Sequence, residues 1–181
     1  MAIKSTIFKA TLHVADMDRN HYADYPLTIA QHPSETDERM MLRLAVFALY
    51  AEEHLQFTKG LSSQDEPDLW CKSLSDEIEL WIDLGLPEEG RIRKACGRAK
   101  KVVIVAYGQR AAPVWWQKIR NELQRFSNLT VIEIPQESLD ALAELAQRTM
   151  DLQCTIQDGQ LWISDNTANV TIEPNQWFPA S

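Results

Sequence analysis

The chain has little cysteine, and its cysteines are not arranged for a disulfide framework or a zinc site. Its three cysteines, Cys71, Cys96 and Cys154, are widely separated and form no C-x-x-C pair. An odd number of isolated cysteines is typical of reduced thiols, whereas a structural zinc site needs closely spaced pairs of ligands. The cysteine content therefore favours a cytoplasmic protein with free thiols and no zinc.

The chain also lacks a long hydrophobic run and an excess of positive charge. No apolar stretch reaches the roughly 18 residues of a membrane-spanning helix. The N-terminal sequence MAIKSTIFKATLHV alternates instead of following the pattern of a signal peptide, so we expect a soluble, unprocessed protein with no membrane partner. The 18 Lys and Arg against 26 Asp and Glu give a net charge of −8. Any nucleic-acid partner would therefore be bound by a local basic patch.

Signatures of nucleotide binding and of serine nucleophiles are absent from the sequence. The glycines Gly85, Gly90 and Gly97 fit neither a P-loop nor a dinucleotide-binding spacing. Four histidines show no metal-ligand spacing, and we interpret them as structural: His13, His21, His32 and His54.

The apolar pattern predicts one α/β domain over residues 1–181, a length that is sufficient for a hydrophobic core. Two hairpins are expected at the ends of the chain, with strands at 3–14 and 22–31 and a turn at Asp158-Gly159. Strands and helices alternate from Ile78 to Arg148, which indicates parallel strands joined by crossover helices. The remaining predictions are a helix at 38–55, a loop at 60–67, strands at 68–74, 77–84, 102–107 and 129–134, and helices from 87, 113 and 137.

A hairpin is predicted between the strands at 68–74 and 77–84. If Ser75-Asp76 is a two-residue turn, three pairs lie opposite each other: Lys72 with Glu79, Trp70 with Trp81, and Asp68 with Asp83. The first two pairs are favourable, which supports this register. A longer loop could hold the same pairing.

The third pair, Asp68 with Asp83, brings two carboxylates together. At about 5 Å and an effective dielectric constant near 20, they repel by roughly 3 kcal/mol. A bound Mg²⁺ or Mn²⁺ would offset the repulsion, because such ions accept one or two carboxylate ligands. Two alternatives to a metal ion remain open: both side chains turn into solvent, or one carboxyl keeps its proton at a raised pKa.

Several blocks of sequence carry a resemblance to known families. Pro67-Asp68, followed by an antiparallel strand that ends in Asp83, resembles the PD-(D/E)xK nuclease superfamily. The blocks GLSSQDEPDLW, LWIDLGLPEEGRIRKACGRAKKVVIVAYG and the following WW resemble the YaeQ family of small bacterial proteins, over essentially the whole chain. The resemblance implies a restriction-endonuclease-like mixed sheet flanked by helices, with a nuclease-like core at about residues 34–134 and hairpins added at both ends.

The sequence departs from the superfamily pattern at one position. The pattern implies a lysine at residue 85, where this chain has Gly85. Our candidate for a displaced lysine is Lys94, which lies with Arg91 and Arg98 at spacings of three and four on the following predicted helix. Arg91 and Arg98 would contact the substrate phosphate. The basic face could equally be a solvated helix surface.

The implied chemistry is phosphodiester cleavage by a divalent metal ion. Asp68 and Asp83 would hold Mg²⁺ or Mn²⁺, with Glu38 as a further ligand, and Lys94 would stabilise developing negative charge. Glu38 is also explained by the helix dipole alone, since it lies in a predicted first turn. The alternative is a non-catalytic nucleic-acid or protein interaction module, for example one related to transcription, that has lost the catalytic lysine. Oligomeric state is not indicated by the sequence.

Overall fold

The computed structural model of the chain describes residues 4–58 and 65–179. The chain divides into two compact units: unit 1 comprises Met1–Ala51 and Glu137–Glu173, and unit 2 comprises Glu52–Gln136 and Pro174–Ser181. The single-domain prediction for residues 1–181 is not tested by this division. Of the predicted segments, Ile3 and the first part of the loop at 60–67 lie outside the described residues.

Eleven strands and four α-helices are described along these residues, together with a 3₁₀ turn at Arg120–Leu123. In chain order they are β1 (Thr6–Asp16), β2 (His21–Gln31), α1 (Asp37–Leu49), β3 (Leu55–Phe57), β4 (Leu69–Lys72), β5 (Ile78–Leu84), α2 (Glu89–Arg98), β6 (Ala99–Ala106), α3 (Ala111–Ile119), β7 (Leu129–Glu133), α4 (Gln136–Ala143), β8 (Thr149–Gln157), β9 (Gln160–Ser164), β10 (Asn169–Ile172) and β11 (Asn175–Phe178).

Unit 1 is built on a five-stranded mixed sheet in the order β10-β9-β8-β1-β2. β1 runs parallel to β8, and the other neighbours are antiparallel. Alternate residues of β1 are buried, as expected for a strand with one face in the core: Phe8, Ala10, Leu12, Val14 and Asp16. Helix α1 contacts β1, β2 and β9. The predicted hairpins at the two ends of the chain thus share one sheet.

The turn that joins β8 to β9 confirms the predicted C-terminal hairpin. Asp158 and Gly159 both have positive φ, 54° and 76°. This is the backbone that a two-residue type I′ turn requires, and the reason that Asp-Gly is a strong hairpin signal.

Helix α1 is shorter than its sequence predicted. Thr36 caps its N-terminus by accepting a hydrogen bond from the Arg39 N–H, 3.2 Å, and the helix ends at Leu49. The expected continuation to Leu55 is wrong, because Leu55 instead pairs with Cys71 at the start of β3. Apolar spacing alone did not distinguish the last helical turn from the strand that follows it.

A buried charge network lies next to α1. The Glu35 side chain is 1% exposed and accepts hydrogen bonds from Arg43 Nε at 2.9 Å and from Arg39 Nη1 at 2.8 Å. Arg43 also donates to the Ala30 carbonyl at 2.8 Å. Buried charges need partners of this kind, so we interpret the network as structural.

His13 occupies the outer face of the unit 1 sheet. Its Nδ1 lies 2.8 Å from Asp24 Oδ1 on β2, and its Nε2 lies 3.0 Å from Asp151 Oδ1 on β8. Hydrogen bonds to these two carboxylates raise the pKa of His13, and its limited desolvation opposes them. The imidazole therefore links three neighbouring strands, which agrees with the structural role predicted for it.

Unit 2 is built on a six-stranded mixed sheet in the order β11-β7-β6-β5-β4-β3. Strands β5, β6 and β7 are parallel, with α2 and α3 in the connections between them, which confirms the predicted alternation. β3, β4 and β11 add antiparallel edges. The core on the helix side of the sheet includes Trp81, Ile92, Val102, Ile104 and Leu123.

Candidate functional site

The hairpin of β4 and β5 follows the predicted register over most of its length. Trp70 is opposite Trp81, with the two rings 6.4 Å apart in an edge-to-face arrangement. The predicted pair of Lys72 with Glu79 is wrong, because a bulge sets Lys72 opposite Ile78. The two-residue turn is wrong as well. The loop runs from Ser73 to Glu77, closed by a hydrogen bond from the Ser73 N–H to the Glu77 carbonyl at 2.8 Å.

The register holds at the end of the hairpin where the two aspartates lie. The Asp68 N–H donates to the Ile82 carbonyl at 3.0 Å, and Asp68 Oδ2 accepts from the Leu84 N–H at 2.8 Å. Asp83 lies between these two partners. Asp68 is 6% exposed and Asp83 is 3% exposed, so neither side chain turns into solvent. Two carboxylates are therefore buried side by side at the carboxyl end of β5.

Arg91 supplies the positive charge that this acid pair requires. Its Nε donates to Asp83 Oδ2 at 2.8 Å, and its Nη2 donates to Asp83 Oδ1 at 3.1 Å. The same Nη2 donates to the Glu66 carbonyl at 3.0 Å. A two-point contact between a guanidinium and a carboxylate is among the stronger hydrogen-bonded ion pairs in proteins. The repulsion expected between the aspartates is thus offset by a side chain of the chain itself.

The connection from β5 to α2 brings Arg91 back to the sheet. Gly85 has φ +116° and donates its N–H to the Val105 carbonyl at 2.9 Å. Pro87 and Glu88 precede the helix, which begins at Glu89, and the Pro87 carbonyl accepts a hydrogen bond from Trp115 Nε1 at 2.8 Å. Glu88 is the N-cap residue, in extended conformation. Arg91 consequently lies in the first turn of α2, facing the end of β5.

The electrostatic balance of Asp83 reflects both its burial and its neighbours. Desolvation raises the pKa of Asp83, and the hydrogen bond and charge of Arg91 work in the opposite direction. The charge of Asp68 adds to the upward shift. The same hydrogen bond raises the pKa of the Arg91 guanidinium. The pKa shift has the direction of one alternative that the sequence left open, but the two-point contact with Arg91 favours the charged form of Asp83.

The buried side chain of Trp81 lies beside the acid pair. It is 2% exposed, and its indole Nε1 has no hydrogen-bond partner among the described residues. The indole N–H is nevertheless close enough to Asp83 to favour the carboxylate form and lower its pKa. The Arg91 and Arg98 guanidinium carbons lie 5.8 and 5.1 Å from the centre of the Trp81 ring, within the range of cation–π contact.

The other predicted site residues occupy different surroundings. Lys94 and Arg98 are exposed on α2, and Arg98 Nη1 donates to the Asp65 carbonyl at 2.9 Å. Within the described part of the chain, Lys94 has no hydrogen-bond or ion-pair partner. Glu38 is half-buried in the first turn of α1, which belongs to unit 1. Over residues 4–58 and 65–179, no three His, Cys, Asp or Glu side chains form a metal-binding group.

The backbone at Gly85 explains why a lysine cannot simply be restored there. A φ of +116° is rarely adopted by any residue with a Cβ atom, although a Cβ built at Gly85 would have no heavy atom within 4 Å. The obstacle is therefore backbone strain and not lack of space. Any cation that serves this site must come from elsewhere, and the structure brings Arg91 to it.

Sequence reasoning identified both aspartates and Arg91 but not the contact between Asp83 and Arg91. It interpreted Arg91 as a phosphate ligand. The signal that could have found the pair was the burial of Asp83 at the end of an apolar strand, because a buried carboxylate needs a nearby cation. Arg91 follows eight residues later, just inside the next helix.

The fold and the site define an α/β protein with two mixed sheets and a buried acid pair held by an arginine. The family model for YaeQ protein matches residues 1–174. The Uncharacterized protein YaeQ of Salmonella typhi is 51% identical over 177 residues, and that of Escherichia coli strain K12 is 50% identical. Each of these alignments covers 98% of both chains. The chain belongs to the YaeQ family, as the sequence blocks predicted.

Two crystal structures of YaeQ proteins share this fold. The protein from Xanthomonas axonopodis pv. citri matches with a TM-score of 0.93 and 46% identity, covering 96% of this chain and 98% of that chain. The protein from Pseudomonas syringae matches with a TM-score of 0.92 and 34% identity, covering 97% of each. Across the part of the chain that is described, no helix has the length and apolar composition needed to cross a membrane.

Proposed function

We propose that the acid pair of Asp68 and Asp83 binds Mg²⁺ or Mn²⁺ and that the protein hydrolyses phosphodiester bonds of nucleic acid. The observation that carries the proposal is the burial of two adjacent carboxylates at a strand end, next to exposed cations of α2. Buried carboxylates are costly to a fold, and a divalent ion is one of the few partners that uses two of them together. The proposal includes a restriction-endonuclease-like core at about residues 34–134 and a cytoplasmic location.

The donor set fits a hard divalent cation. Carboxylate oxygens are the ligands that Mg²⁺ and Mn²⁺ prefer, and Mg²⁺ is usually held by one or two of them with water and substrate phosphate completing the shell. A bound ion of this kind polarises phosphate oxygens and lowers the pKa of bound water. In this proposal Asp68 and Asp83 are the ligands, whereas the role of Glu38, which belongs to unit 1, stays a prediction.

The cations of α2 have separate roles. Lys94, which is exposed, would take the place of the lysine missing at Gly85 and stabilise the charge that develops on the phosphate. One such interaction contributes about 3 kcal/mol to transition-state stabilisation. Arg91 and Arg98 would contact the phosphate backbone of the substrate. These positive side chains form the local basic patch that a protein of net charge −8 needs to bind nucleic acid.

A second candidate function is a non-catalytic nucleic-acid or protein interaction module, for example one related to transcription. Two observations favour it. Arg91 already neutralises Asp83 through two hydrogen bonds, so the acid pair is stable without an ion. The φ of +116° at Gly85 also excludes a lysine at the expected position unless the backbone is distorted.

The deciding experiment measures binding of Mn²⁺ and Mg²⁺ by calorimetry, with cleavage assays on single- and double-stranded DNA and RNA. The native protein is compared with Asp83→Asn. Asp76→Asn is the matched control, because it removes a carboxylate from the same hairpin that is 85% exposed and paired with Lys72. Metal binding and cleavage should be lost in Asp83→Asn and kept in Asp76→Asn. No binding at millimolar ion concentration would leave the non-catalytic module as the better-supported function.

A further inference from the structure

The two hydrogen bonds from Arg91 occupy both oxygens of Asp83. Nε bonds Oδ2 and Nη2 bonds Oδ1, and the Asp83 side chain is only 4% exposed. Each oxygen keeps a further lone pair, but a divalent ion bound to it would lie directly beside the guanidinium, on a side chain that solvent hardly reaches. It would also place its own charge close to that of Arg91, and like charges in a partly buried site repel strongly. Metal and Arg91 therefore compete for one carboxylate.

We propose that Arg91 occupies the acid pair and opposes metal binding until a divalent ion displaces it, and that the released guanidinium then binds the substrate phosphodiester. Binding is thus ordered, with the metal first and the phosphate second. This inference rests on the proposed function, because it specifies how the same site is regulated. While Arg91 is bound to Asp83, its fork of donors is not available to a phosphate; once released, the same fork matches phosphate geometry.

The surroundings of Arg91 suit a side chain with two positions. It lies in the first turn of α2, and its side chain is 32% exposed, so the guanidinium borders solvent on one side. One further contact, with the Glu66 carbonyl, is to a neutral group and holds the guanidinium less firmly than the carboxylate does. Lys94 and Arg98 are also exposed on α2.

Trp81 supplies a donor that could bond Asp83 after Arg91 leaves. Its indole N–H is buried without a partner in the described part of the chain, yet it lies near the Asp83 carboxylate. A buried donor without an acceptor costs free energy, and a small rotation of Asp83 would provide one. Trp81 is therefore a positioning residue in this scheme: it would hold the carboxylate when the guanidinium has gone.

The test compares the native protein with Arg91→Met, which keeps the length of the side chain and removes its charge. Calorimetry with Mn²⁺ should show binding tightened about ten-fold or more in Arg91→Met. Arg93→Met is the matched control, since Arg93 is on the same helix but pairs with Glu89 and is 60% exposed. Its Mn²⁺ affinity should equal that of the native protein.

The phosphate step is tested with a short single-stranded oligonucleotide that carries phosphorothioate linkages to slow cleavage. Mg²⁺ should raise the affinity of the native protein and of Arg93→Met for this probe about ten-fold or more, and should have little effect on Arg91→Met. If Mg²⁺ raises the affinity of Arg91→Met by the same factor, the released guanidinium does not bind the phosphate and the ordered scheme is wrong.

A measurement on the native protein covers the case in which Arg91→Met does not fold. Nitrogen NMR follows the exchange of the Arg91 Nε proton with water, which the bond to Asp83 should slow. Addition of Mg²⁺ should accelerate this exchange several-fold, and exchange that stays slow at saturating Mg²⁺ overturns the inference. Equal Mn²⁺ affinity in the native protein and Arg91→Met overturns the inference and leaves the proposed function intact.

Two outcomes would overturn both proposals. Binding of Mn²⁺ by Arg91→Met but not by the native protein would show that no ion displaces Arg91, which contradicts the ordered scheme and a metal-dependent function of the native protein. Absence of binding by both proteins overturns both proposals.

Discussion

The charge balance at Asp83 makes a quantitative prediction for the stability of Arg91→Met. In the native protein Arg91 is the partner that opposes the desolvation of Asp83. Methionine in its place would leave two carboxylates side by side without this cation. We expect the variant to be less stable than the native protein, and the loss to depend on pH.

The size of the loss follows from burial. Removing one partner of a fully buried ion pair costs about 3 to 5 kcal/mol. Asp83 is 4% exposed in its side chain but Arg91 is 32% exposed, so solvent screens part of the interaction. We expect a loss of about 2 to 3 kcal/mol at pH 8.

The direction of the pH dependence follows from the pKa of Asp83. This pKa is already raised in the folded protein, and loss of Arg91 raises it further because both effects of Arg91 lower it. A neutral carboxyl needs no cation, so the variant should recover stability as the pH falls through the pKa of Asp83. Each unit of difference between the pKa values of variant and native protein changes the stability difference by about 1.4 kcal/mol. The loss should therefore be smaller at pH 5 than at pH 8.

Urea unfolding at pH 5 and pH 8, followed by tryptophan fluorescence, measures this difference. Five of the six tryptophans belong to unit 2, so the signal reports mainly on the unit that holds the site. Arg93→Met is the control and should lose about 0.5 kcal/mol or less at either pH, as surface ion pairs usually do. A loss in Arg91→Met that is the same at both pH values, or no larger than the control, would refute the role given to Arg91.

Two further predictions concern His13 and Gly85. The raised pKa of His13 means that its contacts with Asp24 and Asp151 stabilise unit 1 fully below the unfolded pKa of about 6.5, and that this contribution is lost as the pH rises through the higher folded value. Urea unfolding should therefore find His13→Asn destabilising at pH 6 and nearly neutral at pH 9. An effect that is the same at both pH values would contradict the ion pairs. Gly85→Ala should lower the free energy of unfolding by about 1 to 2 kcal/mol, because alanine would have to adopt a φ of +116°. Gly97→Ala inside α2 should instead raise the free energy of unfolding by up to about 1 kcal/mol. Equal effects of the two substitutions would show that alanine is not strained at position 85.

The parts of the fold that sequence predicted well are those in which local chemistry and burial agree. The parallel strands β5, β6 and β7 were predicted because apolar runs alternate with amphipathic helices. The turn at Asp158-Gly159 was predicted because both residues tolerate positive φ.

The parts that sequence predicted poorly depend on partners far along the chain. The parallel pairing of β1 with β8 joins residues about 140 positions apart, as in the contact of His13 with Asp151, and nothing in either strand alone indicates it. The end of α1 was misplaced for the same reason, because Leu55 pairs with Cys71 in the sheet and does not continue the helix. Tertiary pairing overrides local periodicity at both places.

The sequence predicted which residues lie at the candidate site but not which contacts they make. Pairing arithmetic placed Asp68 beside Asp83, since cross-strand register is a local property of a hairpin. It could not reveal the bulge next to Lys72 or the path of the chain from Gly85 to the start of α2 at Glu89. That path brings Arg91 to Asp83. Glu38, Lys94 and Arg98 remain predictions for the metal and phosphate contacts.

The candidate acid pair and its arginine are contained in one short segment of chain. The hydrogen bond of Leu84 with Asp68 spans 16 residues, and the ion pair of Arg91 with Asp83 spans 8. Closing a short loop costs less entropy than closing a long one. The counter-charge of Asp83 is therefore supplied by a residue close to it in sequence, and it does not depend on the pairing of strands that lie far apart along the chain.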